Sequence, residues 1–278
     1  MKKILNILSL IRFHNLCLGM FAVYVSSFLL NVNFNIDVVL CMAVVSSAMA
    51  LGYLMNDYLD IESDKINHPQ RALANHSISH FHFFCIVLLF LIILFFSSLN
   101  LNQEAQKYLL LMVIPLLICY NLFFKKILIL GNFIVAILLG FIFLFTELVL
   151  TNSFYNLLTP FYLGVGFSFL RELIKDAEDQ SGDTVSNMRT LPIVLGEKKT
   201  NFIIIVVAVI LLLLFPIPYV LKMYSIKYLL LLIIFIEIPL IYSLFLLIKF
   251  PSKRTYTFLV KLLKLLCLVG LLIFIIER

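Results

Sequence analysis

Residues 80–99 read HFHFFCIVLLFLIILFFSSL, twenty residues without one Asp, Glu, Lys or Arg. About 20 apolar residues span the hydrocarbon core of a bilayer as a helix. In lipid every backbone polar group must be satisfied internally, which makes such a run a helix rather than an open strand. Eight further runs share its character, roughly 11–30, 36–55, 107–124, 130–150, 157–174, 201–221, 226–248 and 256–276. The whole chain agrees. Of 278 residues, 63% are hydrophobic and 13% are charged, and the mean hydropathy is +1.11. A soluble domain is about half apolar and a quarter charged. Too little polar side chain is present to cover a water-facing globule, which excludes a soluble enzyme, a disordered chain, a collagen and a coiled coil. The sequence predicts an all-α polytopic membrane protein: a nine-transmembrane-helix bundle around a central, largely apolar cavity, with residues 1–278 as a single integral-membrane domain.

The net charge of +6 comes from 21 basic and 15 acidic residues. With the N-terminus on the cytoplasmic side of the cell inner membrane, fifteen basic residues share that side: Lys2, Lys3, Arg12, Lys65, Arg71, Lys125, Lys126, Arg171, Lys175, Arg189, Lys198, Lys199, Lys249, Lys253 and Arg254. Lys107, Lys222, Lys227 and Arg278 fall on the other. That bias predicts N-inside, C-outside and an odd number of spans. It accounts for the basic charge without nucleic acid, for which no motif is present. Cys17, Cys41, Cys85, Cys119 and Cys267 are scattered singly through apolar runs and read as buried small hydrophobes.

Two polar connections, 56–79 and 175–200, then face the cytoplasm. The first opens Asn56-Asp57-Tyr58-Leu59-Asp60-Ile61-Glu62-Ser63-Asp64, and the second Lys175-Asp176-Ala177-Glu178-Asp179-Gln180-Ser181-Gly182-Asp183. In each the aspartates stand at i, i+3 and i+7, which puts three carboxylates on one face of a helix. Like charges so placed repel, and a divalent cation offsets that repulsion. Mg²⁺ takes hard oxygen ligands and bridges one or two carboxylates to substrate phosphates. The sequence therefore predicts Mg²⁺ on Asp57, Asp60, Asp64, Asp176, Asp179 and Asp183. Asp60, Asp64, Asp179 and Asp183 are the catalytic candidates. Arg71, Lys125, Lys175 and Arg189 are expected to donate charge-assisted hydrogen bonds to phosphate oxygens.

With these residues the chain resembles the UbiA superfamily of intramembrane prenyltransferases. Asn56, Asp57, Asp60 and Asp64 match its NDxxDxxxD signature, and Asp176, Asp179 and Asp183 its second signature. Tyr120, Lys125, Gly131 and Asn132 resemble its Tyr…Lys motif, and Arg12 with Asn15 its first-helix Arg/Asn pair. The run from Arg171 to Pro192 is most similar to the geranylgeranylglycerol-phosphate geranylgeranyltransferase branch. Arg71-Ala72-Leu73-Ala74-Asn75 departs from the proline and Gly-containing turn usual there.

The resemblance implies a Mg²⁺-dependent prenyltransferase domain whose partners are a prenyl diphosphate donor, a lipophilic acceptor and membrane lipid. Asn56, Tyr120 and Asn15 join the substrate-binding set. The donor group is expected to be geranylgeranyl and the acceptor geranylgeranylglycerol phosphate. The alternatives are an aromatic acceptor of a quinone pathway (hydroxybenzoate or dihydroxynaphthoate) and, more distantly, a transporter. Tyr58 or Tyr120 is expected to face the allylic cation left by ionisation. His68, His76, His80 and His82 read as surface residues, Glu147 as interfacial, and Gly164 and Gly166 as helix-packing positions.

Overall fold

The computed structural model describes residues 2–185 and 188–278, with side chains from Leu5 onward apart from Ser186 and Asn187. The side chains of Lys2 and Lys3, counted above, lie outside the described residues. Those residues form helices and no strand. In chain order these are α1 (Lys2–Leu10), α2 (Phe13–Leu29), α3 (Ile36–Leu59), α4 (Ile61–Asn67) and α5 (His80–Ser98). Then follow α6 (Gln103–Leu122) and α7 (Leu130–Thr151), α8 (Leu158–Val185) and α9 (Leu191–Leu195), and α10 (Glu197–Val220), α11 (Ile226–Lys249) and α12 (Lys253–Glu277). Seven of them, α3, α5, α6, α7, α10, α11 and α12, are long and apolar enough to cross a membrane. Asn35, Ser79 and Ser252 cap α3, α5 and α12 by accepting a first-turn backbone N–H.

Each apolar run coincides with a helix, but two junctions differ from expectation. The polar connection at 175–200 is largely helix: α8 runs unbroken to Val185. Charge ends an apolar run without ending a helix, and no proline interrupts this one after its first turn. The first acidic cluster does not lie on one helix. The chain turns at Asp60, which closes α3 and opens α4 with φ −104°. A straight helix would stack three like charges in a column; the turn sends Asp60 to a different cation from its neighbours.

α7 and α8 pack along their length, with α12 and α10 against α8, and α2 and α5 against α3. Gly164 of α8 lies against Phe143 and Gly140 of α7, and Gly166 meets Leu211 of α10, as expected of packing positions. One large core runs through α2, α3, α7, α8 and α10–α12. A smaller one joins Leu10, Ile11, Leu54 and Phe83 to Ala72 and Leu73, so the apolar pair that replaces the usual proline turn fills a core. The outward faces stay apolar; Leu88, Leu89, Phe95 and Phe96 of α5 are exposed. Water would not tolerate such faces on this scale, and lipid does.

Glu147, expected at an interface, is fully buried. Its carboxylate accepts from Ser153 Oγ, Asn156 Nδ2 and the backbone N–H of Tyr155, Asn156 and Leu157, at 2.7–2.9 Å, and so folds the α7–α8 loop. Before Pro115 and Pro239, which cannot donate an N–H, α6 and α11 loosen into π-helical turns. Glu237 lies in the second of these, with Oε1 buried and unbonded among the described residues.

Candidate active site

The ends of α3 and α8 that carry the acidic residues meet the start of α2 and the α6–α7 loop, forming one mouth. Its shape comes from local backbone choices. Arg12 links α1 to α2 with φ +49°, a left-handed conformation unusual outside glycine, and its Nη2 lies 2.6 Å from Asp57 Oδ1. Arg71 reaches Asp64 Oδ1 at 2.5 Å and Asp57 Oδ1 at 3.5 Å. Lys125 pairs with Asp60 from a short 3₁₀ turn, Phe124–Lys126. Gly131 permits that turn, because a Cβ there would stand 2.8 Å from the Lys125 Cα. Every carboxylate of the first cluster thus holds a protein cation.

The second cluster is different. Asp176 Oδ2 accepts from Asn132 Nδ2 at 2.9 Å. Asp179 Oδ1 lies 3.0 Å from His68 Nε2, out of line for a hydrogen bond, and is otherwise buried and unbonded. Asp183 has no side-chain partner among the described residues. No Lys or Arg pairs with this cluster. The cations beside it, Arg171 at 2.7 Å and Lys175 at 3.4 Å, are both held by Glu172.

Asn67 joins the two clusters. Its Nδ2 donates to the Asp179 carbonyl at 2.7 Å, and its Oδ1 accepts from Gly182 N at 2.9 Å and Ser181 Oγ at 3.0 Å. α4 sits so close to α8 that a Cβ on Gly182 would come within 2.4 Å of Asn67 and 2.7 Å of the Ser63 carbonyl.

Burial sets the charge balance. It pushes the Asp64 carboxyl above the usual range, against the pull of Arg71. It holds the Lys125 ammonium below the usual lysine range, although Asp60 beside it acts the other way.

Beneath the mouth lie two cavities. One, of about 1050 Å³ with its opening, has Arg12, Asn56, Tyr120, Glu172 and Lys175 at its polar end and Val44, Leu109 and Phe145 in its depth. The other, of about 1160 Å³, runs between α2, α8, α11 and α12. They share Asn15, Met49, Tyr53, Leu139, Ile142 and Arg171.

Of the residues singled out from the sequence, the mouth gathers the six aspartates, Arg71 and Lys125. Asn56, Asn15, Tyr120 and Lys175 line the first cavity. Arg189 is exposed and makes no ion pair among the described residues. Tyr58 is 44% exposed, stacks on Phe83 and lines neither cavity. Its neighbour Tyr53 takes the inward place, under the Arg12 guanidinium (4.7 Å to the ring) with its hydroxyl accepting from Asn15. His68, expected at the surface, faces Asp179. Glu172 and Asn67 were missed as site residues. Glu172 has a sequence signal in its i+3 spacing to Lys175; Asn67 has none, because its partners are more than a hundred residues away.

Among the described residues no three acidic, histidine or cysteine side chains are grouped closely enough to cage a metal by themselves. The donor set nevertheless suits a hard cation. It is all oxygen, Asp179 Oδ1 is buried with only His68 near it, and three of the six aspartates pair with no Lys or Arg among the described residues. Mg²⁺ keeps waters and completes its shell with substrate phosphates rather than with a protein cage.

These features define a class: an all-helical membrane protein with two opposed acidic motifs over apolar cavities. The chain belongs to the UbiA prenyltransferase family, whose model matches residues 16–268; it is an integral-membrane prenyltransferase. It is 34% identical over 281 residues to a digeranylgeranylglyceryl phosphate synthase of Methanocaldococcus jannaschii, covering 99% of this chain and 97% of that one. It is 32% identical over 227 residues to the enzyme of that name from Methanosphaera stadtmanae, with 80% of each covered. A structure solved in work on the biosynthesis of digeranylgeranylglyceryl phosphate synthase in membranes superposes with a TM-score of 0.72 at 32% identity, covering 100% of this chain and 99% of that one. A UbiA homolog from Archaeoglobus fulgidus bound to DMAPP and Mg²⁺ shares the fold at a TM-score of 0.67 and 16% identity, over 96% and 98% of the chains.

Proposed function

We propose that this chain moves a geranylgeranyl group from its diphosphate to the free hydroxyl of geranylgeranylglyceryl phosphate. The observation that carries the proposal is the mouth, where two acidic clusters face each other above two apolar cavities. The names of the relatives at 34% and 32% identity support the acceptor.

The first cavity suits the donor, because its polar end holds Asn56 and Lys175 beside the acidic clusters. Asp57, Asp60, Asp64, Asp176, Asp179 and Asp183 would hold Mg²⁺, which supplies neutralising charge to the departing diphosphate. Lys125, Arg71 and Lys175 would add hydrogen bonds to its oxygens, each exchanging a carboxylate partner for a phosphate one. Tyr53 and Tyr120 line the first cavity, where an aromatic ring would stabilise an allylic cation. The apolar walls exclude water, which would otherwise compete with the acceptor hydroxyl.

In this reading α2 and α8 cross the membrane with the seven long apolar helices, giving nine spans in one domain. The fifteen-to-four distribution of basic residues supports a cytoplasmic N-terminus and mouth, with the C-terminus outside. The test incubates purified protein with geranylgeranyl diphosphate, Mg²⁺ and either geranylgeranylglyceryl phosphate or a hydroxybenzoate, with products read by mass spectrometry. The expected product is the diether phosphate. Product from the aromatic acid alone would overturn the acceptor, and no prenylated product from either would overturn the function.

A further inference from the structure

Four cations line the two cavities: Arg12, Arg171, Lys175 and Lys264. Three already hold protein carboxylates, Arg12 with Asp57, and Arg171 and Lys175 with Glu172. Lys264 of α12 makes no ion pair and no hydrogen bond among the described residues. A partly buried ammonium on an otherwise apolar wall calls for an anion.

The second cavity has the other properties of a site. It is as large as the first. None of its lining residues belongs to an acidic cluster, so nothing there marks it for a diphosphate with its metal. Its remaining walls, such as Phe167, Phe215 and Phe274, are apolar. It meets the first cavity at Asn15, Tyr53 and Arg171, where two substrates can bring reacting atoms together.

We propose that this second cavity is the acceptor site, taking the acceptor's isoprenoid chain along α11 and α12, with Lys264 binding the acceptor's phosphate. This rests on the function proposed above and adds where the second chain lies and which residue recognises its head. Arg171 stays on Glu172 at the junction, and Lys264 is a specificity-determining residue.

The test measures KM for each substrate separately in Lys264→Met, Lys264→Arg and the control Lys261→Met, which alters an exposed residue outside both cavities. Losing one charge-assisted hydrogen bond should raise KM for geranylgeranylglyceryl phosphate roughly 10- to 100-fold in Lys264→Met. KM for geranylgeranyl diphosphate should stay put, Lys264→Arg should recover part of the loss, and Lys261→Met should match the native protein. Wild-type protein is also assayed with geranylgeranylglycerol, which lacks the phosphate. Its KM should be raised to a similar degree, and Lys264→Met should not raise it further. An unchanged acceptor KM in a folded variant, a raised donor KM, or equal wild-type affinity for the acceptor with and without phosphate would each overturn the proposal. Because the last comparison uses native protein, a variant that fails to fold leaves the proposal open to refutation. If native protein makes no diether phosphate at all, the proposed function has failed instead.

Discussion

Gly182→Ala offers a sharp test of how the two acidic clusters are joined. The new Cβ would lie 2.4 Å from Asn67 Nδ2, 2.6 Å from its Cγ and 2.7 Å from the Ser63 carbonyl. Asn67 could rotate away, but the carbonyl is backbone, so α4 must move from α8. Overpacking of this kind costs about 1–3 kcal/mol, and the Asn67 hydrogen bonds are lost with it, about 1 kcal/mol each. Against this, alanine favours a helix over glycine by about 0.5–1 kcal/mol. With three such hydrogen bonds the net cost is about 3–5 kcal/mol, and the separation of the clusters changes with it. The expected result is a fall in kcat/KM of roughly 10- to 100-fold in protein that still folds, with thermal unfolding lowered by roughly 6–20 °C. Asn67→Ala should lose activity to a smaller degree. The double variant should lose less than the two single losses combined, because both single variants lose the same Asn67 hydrogen bonds. Steady-state kinetics in detergent with far-UV circular dichroism would decide. Near-native rates in both single variants, or strictly additive losses, would refute the claim that this contact sets the mouth.

Asp179→Ala should lower kcat by about 10²–10³, the usual scale for removing one preorganised electrostatic group, with the protein still monodisperse on gel filtration. Excess EDTA should abolish product formation and Mg²⁺ restore it; full turnover in the chelator would contradict the assignment of the carboxylates. The Lys125 ammonium binds anions only while charged, which holds below its pKa and fails as pH rises through it. Because burial lowers that pKa, the alkaline limb of the kcat/KM profile should fall before an ordinary lysine would titrate, and Lys125→Arg should move that limb to higher pH. Tyr58→Ala should leave kcat within about threefold and cost only packing against Phe83, whereas Tyr53→Ala should reduce kcat by roughly tenfold or more.

What the sequence made legible followed from local rules. Hydropathy located helices because contact with lipid is a property of each residue and its near neighbours. The paired aspartate spacing located the mouth because function placed the same chemistry at two helix ends. Three features escaped. The turn at Asp60 depends on where Lys125 waits, 65 residues away, and spacing alone put all three carboxylates on one helix. Tyr53 and Tyr58 are both aromatic and five residues apart; only the rotation of α3 against its neighbours decides that Tyr53 faces inward. His68 reads as a surface residue until α4 docks on α8. The departure at Ala72-Leu73 was visible in the sequence, but its meaning needed the small core that the pair fills.

The buried Glu147 sits at the end of α7 away from the mouth, yet α7 and α8 also bear Asn132 and Asp176 at their other ends. Two rods fastened at one end behave as tongs. Over a helix of about 33 Å, a splay of about 3° at the fastening opens roughly 1.7 Å at the tips. That is more than the 2.9 Å contact between Asn132 and Asp176 can absorb. The five donors gathered by Glu147 therefore act as a pivot pin, and tolerance at the reacting end is set by rigidity at the far one.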